Sequence, residues 1–278
     1  MPVPGTSTRP PVMTTIAPPT PRTERIQIAV AGRVREYTLH VPAGLDGAPM
    51  ALVVDLHGLT STPDRQELVS GMRAKADVEG FVVAQPTAEL VANAWDTLEG
   101  SADVAFAQAI VEDVSGRIDI DPDRIFATGF SAGGGMAARL ACDATDLFAA
   151  VGVVAGAHFG WRRCGTETPV PIIGFHGTGD RVVPYEGFGL LPGMAEWAMF
   201  RAAILGCETT PAATGVADDV VLQSWTQCDG SSALLLYTIA GGGHGWPGTD
   251  DPSRVGDTTD AIDATDLMWQ FFDSHPKR

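Results

Sequence analysis

Residues 124–141 read Arg124-Ile125-Phe126-Ala127-Thr128-Gly129-Phe130-Ser131-Ala132-Gly133-Gly134-Gly135-Met136-Ala137-Ala138-Arg139-Leu140-Ala141. Arg124 to Ala127 is a short apolar run of the kind that makes a strand buried on both faces, and Met136 to Ala141 has the composition of a helix. Between them, Gly129-Phe130-Ser131-Ala132-Gly133 must turn strand into helix within a few residues. Glycines two positions either side of a serine avoid side-chain collision in such a turn, and a strained backbone lifts the hydroxyl above the sheet. In a chain with 32 glycines the G-x-S-x-G pattern is weak evidence by itself; its place between strand and helix gives it weight. The competing reading is a glycine-rich turn whose Ser131 merely caps the following helix.

Working outward, the same alternation recurs. Glu24 to Val30 and Arg35 to Val41 alternate polar and apolar residues around Ala31-Gly32-Arg33, predicting an antiparallel hairpin exposed on one face. From Ala51 the runs become continuously apolar: Ala51 to Leu56, Phe81 to Ala84, Arg124 to Ala127, Ala149 to Ala155 and Pro171 to Phe175. Helical spacing separates them, as in Leu68, Met72 and Ala76, then Val104, Ala107, Val111 and Val114. Two further strands, Val220 to Trp225 and Ala233 to Ile239, precede a last helix over about Asp260 to Phe272. Strand and helix in alternation predict an α/β fold with a mostly parallel sheet covered on both faces, and place reactive groups on loops at the carboxyl ends of the strands.

A serine hydroxyl is a poor nucleophile at neutral pH; it needs a histidine to take its proton and an acid to hold that histidine in the right tautomer. In this type of sheet the order along the chain is Ser, then acid, then His. Asp180 lies in His176-Gly177-Thr178-Gly179-Asp180, directly after the strand Pro171 to Phe175; Asp143 and Glu186 are its rivals. Of six histidines, His244 follows a late strand within Gly241-Gly242-Gly243-His244-Gly245-Trp246, ahead of the last helix. An oxyanion hole needs two amide donors. Ala132 supplies one, and the loop His57-Gly58-Leu59-Thr60 supplies the other, with Leu59 favoured over Thr60 and His57 expected to prop the loop.

Composition narrows the partners. With 278 residues and 45% hydrophobic content, the chain can bury one large core, and no internal repeat divides it. A formal net charge of -16 disfavours nucleic acid and anionic lipid surfaces, and no stretch has the eighteen or so consecutive apolar residues of a membrane span. Residues 1–23, rich in proline and threonine, read as a disordered linker ahead of a catalytic domain at 24–278. The four cysteines, Cys142, Cys164, Cys207 and Cys228, contain no CxxC pair, which argues against zinc. They permit three pairings, or four buried thiols in a cytosolic protein; the sequential pairing closes two loops of twenty-odd residues and suits an exported enzyme. The run Asp250, Asp251, Asp257, Asp260, Asp263 and Asp266 reads as helix capping and solvated surface rather than a calcium site.

Over residues 24–273 the chain resembles the polyhydroxybutyrate depolymerase-like and feruloyl esterase-like enzymes near carbohydrate esterase family 1. The motifs that carry the resemblance are Leu56-His57-Gly58, Asp103-Val104-Ala105-Phe106, Gly129 to Gly134, His176 to Asp180 with Val183-Pro184-Tyr185, and Gly243-His244-Gly245-Trp246-Pro247-Gly248. The resemblance implies an α/β-hydrolase fold without a large lid domain and a serine esterase acting on polyesters or on feruloyl and acetyl esters of plant polysaccharide. It implies catalytic residues Ser131, Asp180 and His244, no cofactor, secretion or a cell-envelope location, and disulfides at the cysteine positions. Trp95 and Trp246 match aromatic positions near the site of such enzymes and are expected to flank an acyl group. Leu59 departs from the cysteine many relatives carry there, though a backbone donor does not depend on its side chain. Two other readings are weighed: an exopeptidase resembling the prolyl oligopeptidase group, whose large N-terminal module this chain lacks, and a non-catalytic binding protein, which a lost triad residue would mark.

Overall fold

A computed structural model describes residues 20–44, 47–164, 169–230, 232–251 and 254–277. The chain opens with the expected hairpin, β1 (Arg22–Val30) against β2 (Arg33–Val41). Its turn has only two residues, Ala31 and Gly32, both at positive φ (49° and 78°), the backbone twist that matches two antiparallel strands. Strand β1 takes in Arg22 and Thr23, the last two residues of the expected linker, opposite Val41 and His40; residues 1–19 of that linker lie outside the described residues.

The sheet then grows through β3 (Met50–Leu56), β4 (Val82–Pro86), β5 (Ile120–Phe130), β6 (Ala150–Val154) and β7 (Ile172–Gly177), and ends with β8 (Ala212–Ala217), β9 (Val220–Trp225) and β10 (Leu234–Ile239). Spatial order is β1-β2-β4-β3-β5-β6-β7-β10-β9-β8. The six strands from β4 to β10 in that order run parallel, and both edges are antiparallel. The central strands are buried along their whole length, which is why they read as unbroken apolar runs. Strand β8 left no such signal: Ala212-Ala213-Thr214-Gly215-Val216-Ala217 is small and nearly all exposed, and only its pairing with β9 makes it a strand.

Two layers of helix cover the sheet. On one face α3 (Ala102–Ser115), α4 (Ala132–Asp143) and α5 (Met194–Ile204) bury Phe106, Ile110, Met136, Leu140 and Trp197. On the other, α1 (Pro63–Ser70), α2 (Met72–Glu79) and α6 (Ala264–Asp273) bury Val69, Met72, Met268 and Phe272. The single helix expected through Leu68, Met72 and Ala76 is two, because Gly71 takes the left-handed conformation (φ 60°) and its amide closes α1 on Glu67. Leu68 accordingly faces solvent while Met72 and Ala76 are buried.

Of the acidic run, Asp263 caps α6 through the Asp266 amide, as capping predicts. Asp251 is not solvated surface: it is buried and accepts from Arg65 across 2.6 Å, tying α1 to the segment that follows Trp246. The cysteines form Cys142–Cys164 and Cys207–Cys228, with no free thiol.

Candidate active site

Strand β5 ends at Phe130, and the next residue, Ser131, sits at φ 56°, ψ -117°, a conformation that non-glycine residues rarely adopt. The turn is held from several sides. The Ser131 amide donates to Val154 at the end of β6, and the Ser131 carbonyl accepts from Gly135 and Ala157. Ser131 occupies the N-cap position of α4 yet makes no side-chain capping bond, so its hydroxyl is left uncommitted among the described residues. Such close packing is open only to glycine here: a Cβ on Gly133 would stand 2.0 Å from the Leu56 carbonyl oxygen, and one on Gly135 would stand 2.1 Å from that of Ala157.

Strands β7 and β10 are parallel neighbours, with Ile239 in register with Gly177, so the loops that leave them emerge side by side. Asp180 follows β7 and His244 follows β10. The His244 Nδ1–H donates to Asp180 Oδ2 across 2.7 Å, while Asp180 Oδ1 accepts from the amides of Val182 and Val183, each at 2.8 Å. Burial opposes ionisation of Asp180, but the hydrogen bond and charge of His244 and the two amides outweigh it and hold the carboxyl below its ordinary value. The His244 ring lies 4.8 Å, centroid to centroid, from Phe130, the residue before Ser131, so the histidine is packed against the turn itself. The rivals for the acid are placed elsewhere or uninvolved: Asp143 is engaged by Arg139 and the Gly100 amide, and Glu186 makes no bond to His244.

The loop after β3 runs beside the turn. A Cβ on Gly58 would meet the Ser131 Cβ at 3.5 Å. The Thr60 amide already donates to the Ala92 carbonyl at 2.8 Å, whereas the amides of Leu59 and Ala132 have no acceptor among the described residues. His57 props this loop. Its Nε2 accepts from the Ala88 amide, which leaves Nδ1 to donate to the Gly58 carbonyl, and burial lowers its affinity for a second proton. Trp95 braces the same loop from below, its Nε1–H donating to the His57 carbonyl at 2.7 Å.

Trp246 departs from expectation. It is fully buried in the core beside α6 and donates through Nε1 to Thr265, whose hydroxyl donates in turn to the Ser70 carbonyl. It therefore anchors the His244 loop from behind and offers no face to a ligand. The residues that do offer apolar surface were not singled out in the sequence. Leu98, Phe159, Leu190 and Leu191 line an open groove of about 760 Å³ with Trp161, beside the Arg162–Glu196 ion pair. The groove begins two residues past Ala157, whose amide holds Ser131. The available signal was the apolar run Phe188-Gly189-Leu190-Leu191 in a loop, where such side chains find no core.

A parallel-centred sheet with a serine at a strand-to-helix turn, an acid after one later strand and a histidine after another is the arrangement of the α/β-hydrolase class. Residues 35–168 match the family described as Esterase PHB depolymerase. A protein of Nocardia uniformis subsp. tsuyamanensis named as an esterase, NocK, is 32% identical over 282 residues, covering 88% of this chain and 81% of its own. Feruloyl esterase C of Emericella nidulans is 31% identical over 248 residues, covering 86% of this chain and 83% of its own. The solved acetyl xylan esterase from Aspergillus awamori shares the fold, with a TM-score of 0.69 at 16% identity over 90% of this chain and 99% of that one. The chain belongs to the Esterase PHB depolymerase family and is a carboxylic ester hydrolase.

Proposed function

We propose that the protein hydrolyses esters through an acyl-enzyme on Ser131, with residues 24–278 as the catalytic domain. Ser131 Oγ attacks the ester carbonyl carbon while His244 Nε2 takes the hydroxyl proton; the carbonyl oxygen becomes an oxyanion held by the Leu59 and Ala132 amides. Collapse breaks the bond to the alcohol, which leaves with the proton from His244. Water, deprotonated by the same histidine, then attacks the acyl carbon and releases the acid and Ser131. The observation that carries this reading is the 2.7 Å bond from His244 to Asp180, because an ionised carboxylate accepts only from Nδ1–H and so leaves Nε2 as a base.

The apolar groove supports an aromatic or hydroxyalkanoate ester over a bare acetyl group, since an acetyl methyl would leave Phe159, Leu98 and Leu190 in water. The relative named feruloyl esterase C makes an aromatic acyl group the first case to examine. Two disulfides with no free thiol support folding in an oxidising compartment, and no described helix is long and apolar enough to cross a membrane. The experiment is a panel of methyl ferulate, p-nitrophenyl acetate, acetylated xylan and polyhydroxybutyrate film, run on the parent and on Phe159→Ser with Leu190→Ser. Preferential loss on ferulate or polyester supports the groove; equal rates on every ester in parent and variant remove it, and no hydrolysis of any ester removes the reading as a whole.

A further inference from the structure

Next to the open groove, with Phe159 and Trp161 lining both, lies a cavity of about 20 Å³ whose polar lining includes Arg139, Cys142, His158 and Arg201. Arg201 on α5 is buried; its Nη1 donates to both sulfurs of the Cys142–Cys164 bridge, at 2.9 and 2.8 Å. Its Nε and Nη2 have no partner, and neither do Arg139 Nε nor either ring nitrogen of His158. Five of the eleven unpaired buried side-chain polar atoms among the described residues therefore belong to three residues around one cavity. His158 is fixed there by stacking on Trp197 at 4.1 Å.

Among the described residues the charges do not balance. Arg139 has Asp143 at 3.0 Å, but no carboxylate lies within ion-pair distance of Arg201 among the described residues. Disulfide sulfur is a weak, neutral acceptor and cannot offset a guanidinium. A buried cation without a counter-charge costs several kcal/mol in order of magnitude. Water in the cavity would satisfy hydrogen bonds and leave that charge standing.

We propose that the cavity is a binding site for one small monatomic anion, chloride in ordinary media, held between Arg201 and His158 with Arg139 alongside. The size favours the smallest class: a single water-sized sphere needs roughly 10–15 Å³, so the space between the guanidinium and the imidazole suits one monatomic ion. The site joins three pieces, two of which reach the Ser131 turn. Arg139 rides on α4, His158 follows Ala157, whose amide donates to the Ser131 carbonyl, and Arg201 rides on α5. Bound anion therefore stabilises the folded state by an amount that grows with the logarithm of its free concentration once that exceeds the Kd.

The test is to exchange the protein into sodium gluconate and titrate in chloride or bromide at constant ionic strength, following the thermal midpoint, with bromide-soaked crystals read by anomalous diffraction. The expected result is a midpoint that keeps rising with the logarithm of halide concentration and a bromide peak within hydrogen-bond distance of Arg201 and His158. Arg201→Met is expected to abolish both. Should that variant fail to fold, His158→Phe, which keeps the charge and removes one donor, is expected to weaken halide binding at least tenfold. A midpoint identical in chloride and gluconate, with only water in the cavity, overturns the proposal. So does a halide response that survives in the folded Arg201→Met or His158→Phe protein.

Discussion

His244 donates its Nδ1 proton to Asp180 across 2.7 Å, joining two residues that are 64 positions apart in the chain. Asp180 spends its other oxygen on the amides of Val182 and Val183, so the carboxylate cannot swing away from the imidazole. Asp180→Asn puts an amide where the acceptor stood and favours the tautomer with Nδ1 bare and Nε2 protonated, which cannot take the Ser131 proton. The expected fall in kcat is about 10⁴-fold. Near-parental turnover would move the acid role to another carboxylate.

The same carboxylate makes a pH prediction. Its folded pKa lies below its ordinary value, so the ionised form is favoured by folding. That stability is fully present above the unfolded carboxylate pKa, near about 4, and is lost as pH falls through the folded value. Thermal midpoints measured from about pH 5 down to about pH 2 should therefore drop more steeply for the parent than for Asp180→Asn. Parallel curves would mean that Asp180 gains nothing from its partners.

Ser131→Ala removes the atom proposed to carry the acyl group and nothing that holds the turn, since the hydroxyl caps no helix. Turnover of a p-nitrophenyl ester should fall by about 10⁵- to 10⁶-fold with the thermal midpoint unchanged. Labelling of the parent by a fluorophosphonate, and none of the variant, checks the same point by mass.

Leu59 is exposed, and its proposed role is its amide alone. Leu59→Ala keeps that donor and should leave kcat within about threefold of the parent, whereas Leu59→Pro deletes it and should lower kcat by about 10²- to 10³-fold. If the two variants are equally active, the donor is another amide.

Gly133→Ala drives a methyl group into the Leu56 carbonyl, backbone against backbone, with no flexible side chain to yield. Urea denaturation should show a loss of at least about 2 kcal/mol. Gly134→Ala, whose added Cβ meets nothing nearer than 3.0 Å, should cost less. The reverse order would contradict the packing of α4 on β3.

The parallel strands and the Ser131 turn were legible in the sequence for one reason: burial on both faces demands unbroken apolar residues, and a sharp strand-to-helix turn demands small ones. Chain order then singled out Asp180 and His244, because the loops after late strands are the places left for an acid and a base. What sequence determined is thus local, a matter of what each segment can bury and how its backbone can turn. The tertiary structure alone decided the rest. Exposed β8 exists only through its partner β9, Gly71 broke a helix that spacing had made continuous, and Trp246 went to the core because α6 covers it. The choice of Leu59 rests on Ala92 taking the Thr60 amide, and the clustering of Arg139, His158 and Arg201 brings together residues up to 62 positions apart, as Arg139 and Arg201 are. Such relationships are set by which loops and helices meet in space, and no periodicity along the chain records them.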